Sequence, residues 1–292
     1  MIDEVAGTAP LSPLPPALHH ADLAVNLHGR GPESTRLLLA AAPRRLITFA
    51  SPALPLTRRS PRWRPDEHER SRWCRLLAES GIPADPERLE LRLPDEPSPA
   101  PGAVVVHPGA GAPARRWPPG RWAAVIRALR EGPRDGRPDV GRGDVVVTGS
   151  AGERPLAARV AREAGLPPGA VLAGQTGLAG LAALTAEASL VLSGDTGMAH
   201  LAAAYRRPAV TLAGPVPPRL WGPPPRPWHA VLWAGDRDDA GRLQNTGDPH
   251  GPEPDPRLLA ITPGEVAAAA AEALGASRSA AAPEMLGRPD LV

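Results

Sequence analysis

Residues 190–201 read Leu190-Val191-Leu192-Ser193-Gly194-Asp195-Thr196-Gly197-Met198-Ala199-His200-Leu201: an apolar run breaks into small residues and then resumes at a new spacing. Leu190, Val191 and Leu192 predict a buried strand, while Met198, Leu201, Ala202 and Tyr205 recur at helical intervals. A strand that turns this sharply into a helix aims unpaired N–H groups and the positive end of the helix dipole beyond the sheet. Open α/β folds bind anions and nucleotides there. Thr196 and His200 stand four residues apart, so one ligand can meet both. A plainer reading makes Asp195 a helix N-cap, worth about 1 kcal/mol. That leaves Thr196-Gly197 and the spacing to His200 without a purpose, so the ligand role is preferred.

The same strand–helix alternation fills the second half. Strands are expected at 103–107, 144–148, 170–172, 189–193, 208–212 and 229–233. Helical patterns lie between them: Trp122/Val125/Ile126/Leu129, Leu156/Val160/Ala164 and Leu178/Leu181/Leu184. Strict alternation implies a parallel, doubly wound sheet with right-handed crossovers. The first half offers two short strands, within 22–27 and 46–49, and helices at about 32–42 and 66–80. The second of these helices buries Trp73, Leu76 and Leu77 and stops at Gly81. Two strands would leave an apolar face and an edge uncovered. The expected organisation is 1–93 as a partial domain, 94–102 as a Pro-rich linker, 103–275 as the complete domain and 276–292 as a tail. Residues 132–143 read as a surface excursion. Thr262-Pro263-Gly264-Glu265 has capping-box spacing and opens the last helix.

Composition narrows the function. Apolar residues make up 42% but aromatics only 3%, so the interior must be mostly Ala, Val and Leu. There is no lysine, and 33 arginines against 31 acids leave +2, too balanced for a nucleic-acid footprint. A single cysteine, Cys74, rules out an internal disulfide and suits a reducing cytosol. With no signal segment and no apolar run of spanning length, the chain is expected to be cytoplasmic, with peripheral membrane contact left open. No His/Cys/carboxylate cluster has metal-ligand spacing, no Gly-x-Ser-x-Gly elbow supports a hydrolase triad, and no cofactor is implied.

Two further loops follow strands. His107-Pro108-Gly109-Ala110-Gly111 ends a β-branched run and leads to Arg115-Arg116-Trp117-Pro118. Glycines let the backbone approach a phosphate, and an arginine fork suits its oxygens. An ordinary βα loop with solvated arginines fits as well. Val147-Thr148-Gly149-Ser150 precedes Glu153, which could accept from a ribose or sugar hydroxyl or could complete a capping box with Ser150. The box is the better match. His28 and His107 end strands and are candidate cleft residues; the other histidines read as surface or packing residues.

Taken together, these motifs resemble glycosyltransferase family nine, the ADP-heptose:lipopolysaccharide heptosyltransferases. The similar elements run in family order over about 103–233: His107 to Pro118, Val147 to Glu153, Ser193 to Ala204, Gly214-Pro215 and Trp221-Gly222-Pro223. The resemblance implies a GT-B fold, two Rossmann-like domains facing a cleft, with the N-terminal one incomplete here. It implies that Asp195, Thr196, Gly197 and His200 grip the diphosphate and adjacent sugar of a nucleotide-diphospho-sugar such as ADP-heptose. Arg115 stands where the family usually has lysine, and Glu153 would bind the nucleoside. The implied reaction is inverting transfer to an acceptor hydroxyl on a glycan or glycolipid, within cell-envelope glycan biosynthesis. The family's opening Gly-Asp loop, which carries the general base, has no match from Met1 onwards, so the chain is expected to be N-terminally truncated and no catalytic base is named. A non-catalytic nucleotide-sugar-binding module and a GT-B-like epimerase remain as competing readings.

Overall fold

A computed structural model describes residues 5–9, 11–131, 144–235 and 247–281; the expected surface excursion at 132–143 and tail residues 282–292 lie outside them. The chain divides into two compact units, 1–88 and 89–292, so that residues 94–102 fall within the second.

In the first unit, β1 (Ala24–Val25) and β2 (Leu46–Ile47) form a two-stranded parallel sheet joined through α1 (Pro32–Ala40). Pro32 at the first helical position has no N–H to orphan, and its fixed φ suits a helix start. The second helix, α2 (Glu69–Glu79), starts three residues later than the pattern predicts, because the His68 ring caps it by accepting from the Arg70 N–H. Of its expected apolar stripe only Leu76 is fully buried; Trp73 and Leu77 are half-buried. Ile47, Phe49 and Leu76 form the core, with Trp63 and Trp73 packed against it. Arg72 is also buried, a position that apolar periodicity could not reveal.

The second unit is built on a five-stranded, all-parallel sheet in the order β4-β3-β5-β6-β7. Its strands are β3 (Val104–His107), β4 (Val145–Val147), β5 (Leu190–Gly194), β6 (Ala209–Leu212) and β7 (His229–Leu232). The expected strand at 170–172 is instead a 3-10 turn, Pro168–Ala170, followed by one bridge from Val171 to Val147. The prolines at 167 and 168 hold the chain off the sheet until that single residue.

Alternate residues along each strand feed two apolar layers. Val104, Val106, Leu190, Leu192, Val210 and Leu212 pack beneath α3 (Pro119–Arg130), α4 (Arg154–Glu163) and α9 (Pro263–Ala281). Val105, Val146, Val191 and Ala209 pack with residues of α5 (Leu178–Ala186) and α6 (Gly197–Ala204). Leu178 is 88% exposed rather than buried. The face of α5 that turns inward carries Gly180, Ala183 and Leu184, small residues that allow a close approach. Short helices α7 (Pro218–Trp221) and α8 (Pro256–Ala260) complete the unit, and α9 opens on the expected box, with Glu265 accepting from the Thr262 N–H at 2.8 Å.

With few aromatics available, Trp117 and Trp122 carry much of the larger layer. Their rings meet edge to face at 5.0 Å, both fully buried. Trp122→Ala is expected to lower unfolding stability by about 3–5 kcal/mol, measured by urea denaturation.

Candidate functional site

Strand order creates the site. From β3 the chain leaves toward α3 on one face of the sheet; from its neighbour β5 it leaves toward α6 on the other. Two loops that diverge in this way leave a crevice beyond the carboxyl ends of their strands, and ligands of open α/β sheets bind at such a switch point.

The lip of this crevice is polar. His107 pairs with Ser193, and Ser193 with Thr211, while the Thr148 N–H donates to the Val106 carbonyl. All four side chains fall on the α5/α6 face, where the preceding positions are apolar. Thr148 and Ser193 are each 1% exposed, and their hydroxyls, like His107 Nδ1, have no hydrogen-bond partner among the described residues. Burial holds His107 below the ordinary imidazole value despite the pull of Glu153. Thr148 and Ser193 stand in motifs that the sequence analysis quotes without giving either a role, and Thr211 was not singled out. Their signal was a polar residue inside or ending an otherwise apolar strand.

At the start of α6 the capping alternative for Asp195 fails. Thr196 is the N-cap: its Oγ1 accepts from the Met198 N–H at 3.3 Å and its carbonyl from the Ala199 N–H at 3.1 Å. Asp195 extends the ladder by one bond, its N–H donating to the Leu212 carbonyl at 3.0 Å. The carboxylate is therefore left free of capping work. Burial pushes its pKa up, and the nearby Arg115 charge opposes that rise. The Thr196 and Gly197 amides have no acceptor among the described residues, and His200 is exposed one turn along.

Arg115 reaches this point because two glycines let it. The turn Pro113–Arg115 lies against the end of β5, where a Cβ on Gly194 would stand 3.3 Å from the Arg115 carbonyl oxygen. A Cβ on Gly111 would meet its guanidinium at 3.0 Å. Arg115 Nε is buried and has no hydrogen-bond partner among the described residues. Arg116 turns elsewhere, donating through Nε to the Ala110 carbonyl at 2.9 Å.

Glu153 does form the capping box: its Oε2 accepts from both the N–H and the hydroxyl of Ser150 at 2.8 Å. Among the described residues only that oxygen is used. The other, Oε1, lies against Gly109, where any Cβ would collide with it. Burial opposes the charge on Glu153, but the Ser150 bonds, with His107 and Arg116 nearby, outweigh it and hold the carboxyl below the usual range. Capping and ligand binding are thus compatible. Asp195, Thr196, Gly197, His200, Arg115, Glu153, His107 and Gly109 all belong to the loops and helix starts at the sheet's carboxyl end. His28 belongs to the first unit, where its N–H donates to Asn26 Oδ1 and it lines a cavity of about 440 Å³ with Leu11, Leu14, Val25 and Leu38.

Gly109→Ala should displace the Glu153 carboxylate and lower stability by about 1–2 kcal/mol, the value of a lost cap. In a Glu153→Ala background most of that loss should vanish, which thermal unfolding of the double mutant would show. Asp195→Asn should raise Tm at pH 7. Because the folded-state pKa is raised, ionisation penalises the folded chain above that value, and no penalty remains once both states are protonated. The gain should therefore disappear in a melting series taken below the ordinary carboxylate range.

The family model for glycosyltransferase family 9 (heptosyltransferase) matches residues 56–239. The glycosyl transferase family 9 protein from Veillonella parvula DSM 2008 shares 20% identity, with 88% of this chain covering 75% of that one at a TM-score of 0.63. E. coli heptosyltransferase WaaC, solved with ADP, shares 22% identity, with 74% covering 68% at a TM-score of 0.54. The chain spans about half (49%) of E. coli ADP-heptose LPS heptosyltransferase II, at 26% identity over 62% of this chain and a TM-score of 0.47. A search of curated proteins returns no match. The matched segment takes in the glycine loop at 109–111, the Ser150–Glu153 box and the Asp195 turn, and the chain belongs to glycosyltransferase family 9, the heptosyltransferases.

Proposed function

We propose that this chain transfers a heptose-like sugar, with inversion, from a nucleotide-diphospho-sugar to an acceptor hydroxyl on a glycan or glycolipid. The observation that carries the reading is the meeting of two free amides, Thr196 and Gly197, with the Arg115 side chain at the switch point between β3 and β5. Amides at a helix start and a guanidinium fork both favour an anion, and the diphosphate is the donor's anionic part. E. coli WaaC was solved with ADP and with ADP-2-deoxy-2-fluoro heptose, which supports an ADP-sugar as the first donor to try.

The residues then divide by charge. The Thr196 and Gly197 amides with Arg115 would meet the diphosphate and stabilise the charge that develops on it as the sugar departs. His200, one turn along α6, would contact the same group. Each charge-assisted contact is worth about 1.5–3 kcal/mol. Asp195 can only accept, and its charge repels phosphate, so its partner would be a sugar hydroxyl beside the diphosphate. The open oxygen of Glu153 would accept a hydroxyl of the nucleoside.

A second reading, a nucleotide-sugar-binding module without turnover, has its own support. The residues just beyond β1 and β2 are Asn26 and Thr48, neither of which can act as a carboxylate base. Calorimetry with ADP-heptose, paired with an assay for released ADP in the presence of lipid-linked acceptor, separates the two. Binding with release supports the transferase, and binding alone supports the module. Asp195→Ala and His200→Ala should each weaken donor binding at least about tenfold, near 1.4 kcal/mol, while the chain stays folded. Unchanged affinity in both variants overturns the site.

A further inference from the structure

We infer that Trp221 is a specificity residue: its indole stacks on the sugar ring that the donor carries and so helps to decide which sugar is accepted. The inference deepens the transferase reading and rests on it. All seven tryptophans lie among the described residues, and six are taken into the fold. Trp117 and Trp122 are fully buried, and Trp63 and Trp73 pack against Phe49. Trp228 lies edge to face with His229, and Trp233 donates through Nε1 to the Gly214 carbonyl at 2.8 Å. Trp221 alone is exposed, at 46%. An indole has more apolar area to bury than any other side chain, so its exposure forgoes the most.

A stiff frame imposes that exposure. The segment reads Gly214-Pro215-Val216-Pro217-Pro218-Arg219-Leu220-Trp221-Gly222-Pro223-Pro224-Pro225, with six prolines that fix their own φ and restrain the residues before them. Pro215 and Pro217 are buried on one side of the tryptophan, and Pro223 and Pro224 on the other. Pro218 opens α7, and the Gly222 N–H closes it on the Pro218 carbonyl at 2.6 Å. A Cβ on Gly222 would stand 2.6 Å from that same oxygen, so the turn after the tryptophan requires glycine. The ring is carried by backbone with little freedom left to lose when a ligand arrives, which keeps the ordering cost of binding low.

Place in the sheet selects the ligand. The loop leaves the carboxyl end of β6, which pairs with β5 on the side away from β3. Its first residues touch the anion site. The Asp195 N–H donates to the Leu212 carbonyl, and a Cβ on Gly214 would stand 3.5 Å from the carbonyl oxygen of Ala114, in the turn that carries Arg115. Along this end of the sheet the order is therefore Glu153 after β4, Arg115 after β3, Asp195 to Gly197 after β5, and Trp221 after β6. A nucleotide-diphospho-sugar has the same linear order of parts. With its nucleoside at Glu153 and its diphosphate at the start of α6, its sugar falls on the β6 side. A sugar ring has a face of C–H bonds as well as a rim of hydroxyls; Asp195 suits the rim, and a flat indole suits the face.

Calorimetry of the full chain with ADP and with ADP-heptose tests this, because the two probes differ by the sugar. Trp221→Ala should leave ADP affinity unchanged and weaken ADP-heptose roughly three- to tenfold, the range of one aromatic contact. Trp221→Phe should recover most of that loss, and thermal unfolding should match wild type in both variants because the ring is exposed. Wild-type affinity for ADP-heptose in Trp221→Ala, or an equal loss for ADP and ADP-heptose, would overturn the inference. So would an effect confined to the KM for acceptor, which would put the ring against the other sugar. If wild type binds neither probe, the donor reading falls and this inference with it, whereas unaltered binding by Trp221→Ala sinks the role of the tryptophan alone.

Discussion

Two adjacent parallel strands whose chains leave toward opposite faces cannot close the space beyond their ends with their own loops. That constraint, imposed at β3 and β5 by the order β4-β3-β5-β6-β7, underlies every other feature of the second unit. The crevice must be lined by whatever residues end the strands, and the last positions here are polar. His107, Ser193 and Thr148 occupy such positions, with buried atoms that find no partner among the described residues. Orphaned polar atoms are uncommon in a settled core, and a cluster at one sheet edge marks a surface arranged for something other than the chain's own stability.

The electrostatics of the lip show the same priority. Asp195 is buried enough to resist ionisation, and Arg115 relieves that only in part. A side chain chosen for stability would be neutral there, and the capping role that might justify a carboxylate belongs to Thr196. Glu153 shows the opposite solution. Its charge is held by two bonds from Ser150, so the acid stays ionised while one oxygen remains open toward Gly109. One carboxylate is destabilised in place and the other secured, yet both end at the carboxyl side of the same sheet.

Much of this was legible from residue order. Apolar runs such as Val104-Val105-Val106 and Leu190-Val191-Leu192 have one interpretation when helical patterns separate them, and the Thr262/Glu265 box appeared where its spacing placed it. The Asp195 turn was readable because small residues between a strand and a helix have few other uses. What escaped were effects of tertiary neighbours. Pro167 and Pro168 shortened a strand to a bridge, Leu178 faced solvent because its helix packs through Gly180 and Ala183, and Arg72 went inside because loop carbonyls and a tryptophan face were waiting for it. Local periodicity reports which residues prefer burial, but not which polar group finds enough partners to join them.

Arginine carries all of the positive charge in this chain, and the fold uses its geometry in three ways. A planar fork with several donors can satisfy many carbonyls at once, which Arg72 does from a nearly sealed position where an ammonium would lack the reach. The same fork can take up the space that the missing side chain of Gly111 leaves, as Arg115 does. At the surface, where Arg58, Arg59 and Arg62 stand, it faces solvent. Replacing lysine throughout therefore does more than preserve charge. It lets one residue type serve as interior scaffold, anion ligand and outer surface, and only the neighbours of each arginine decide which of these it becomes.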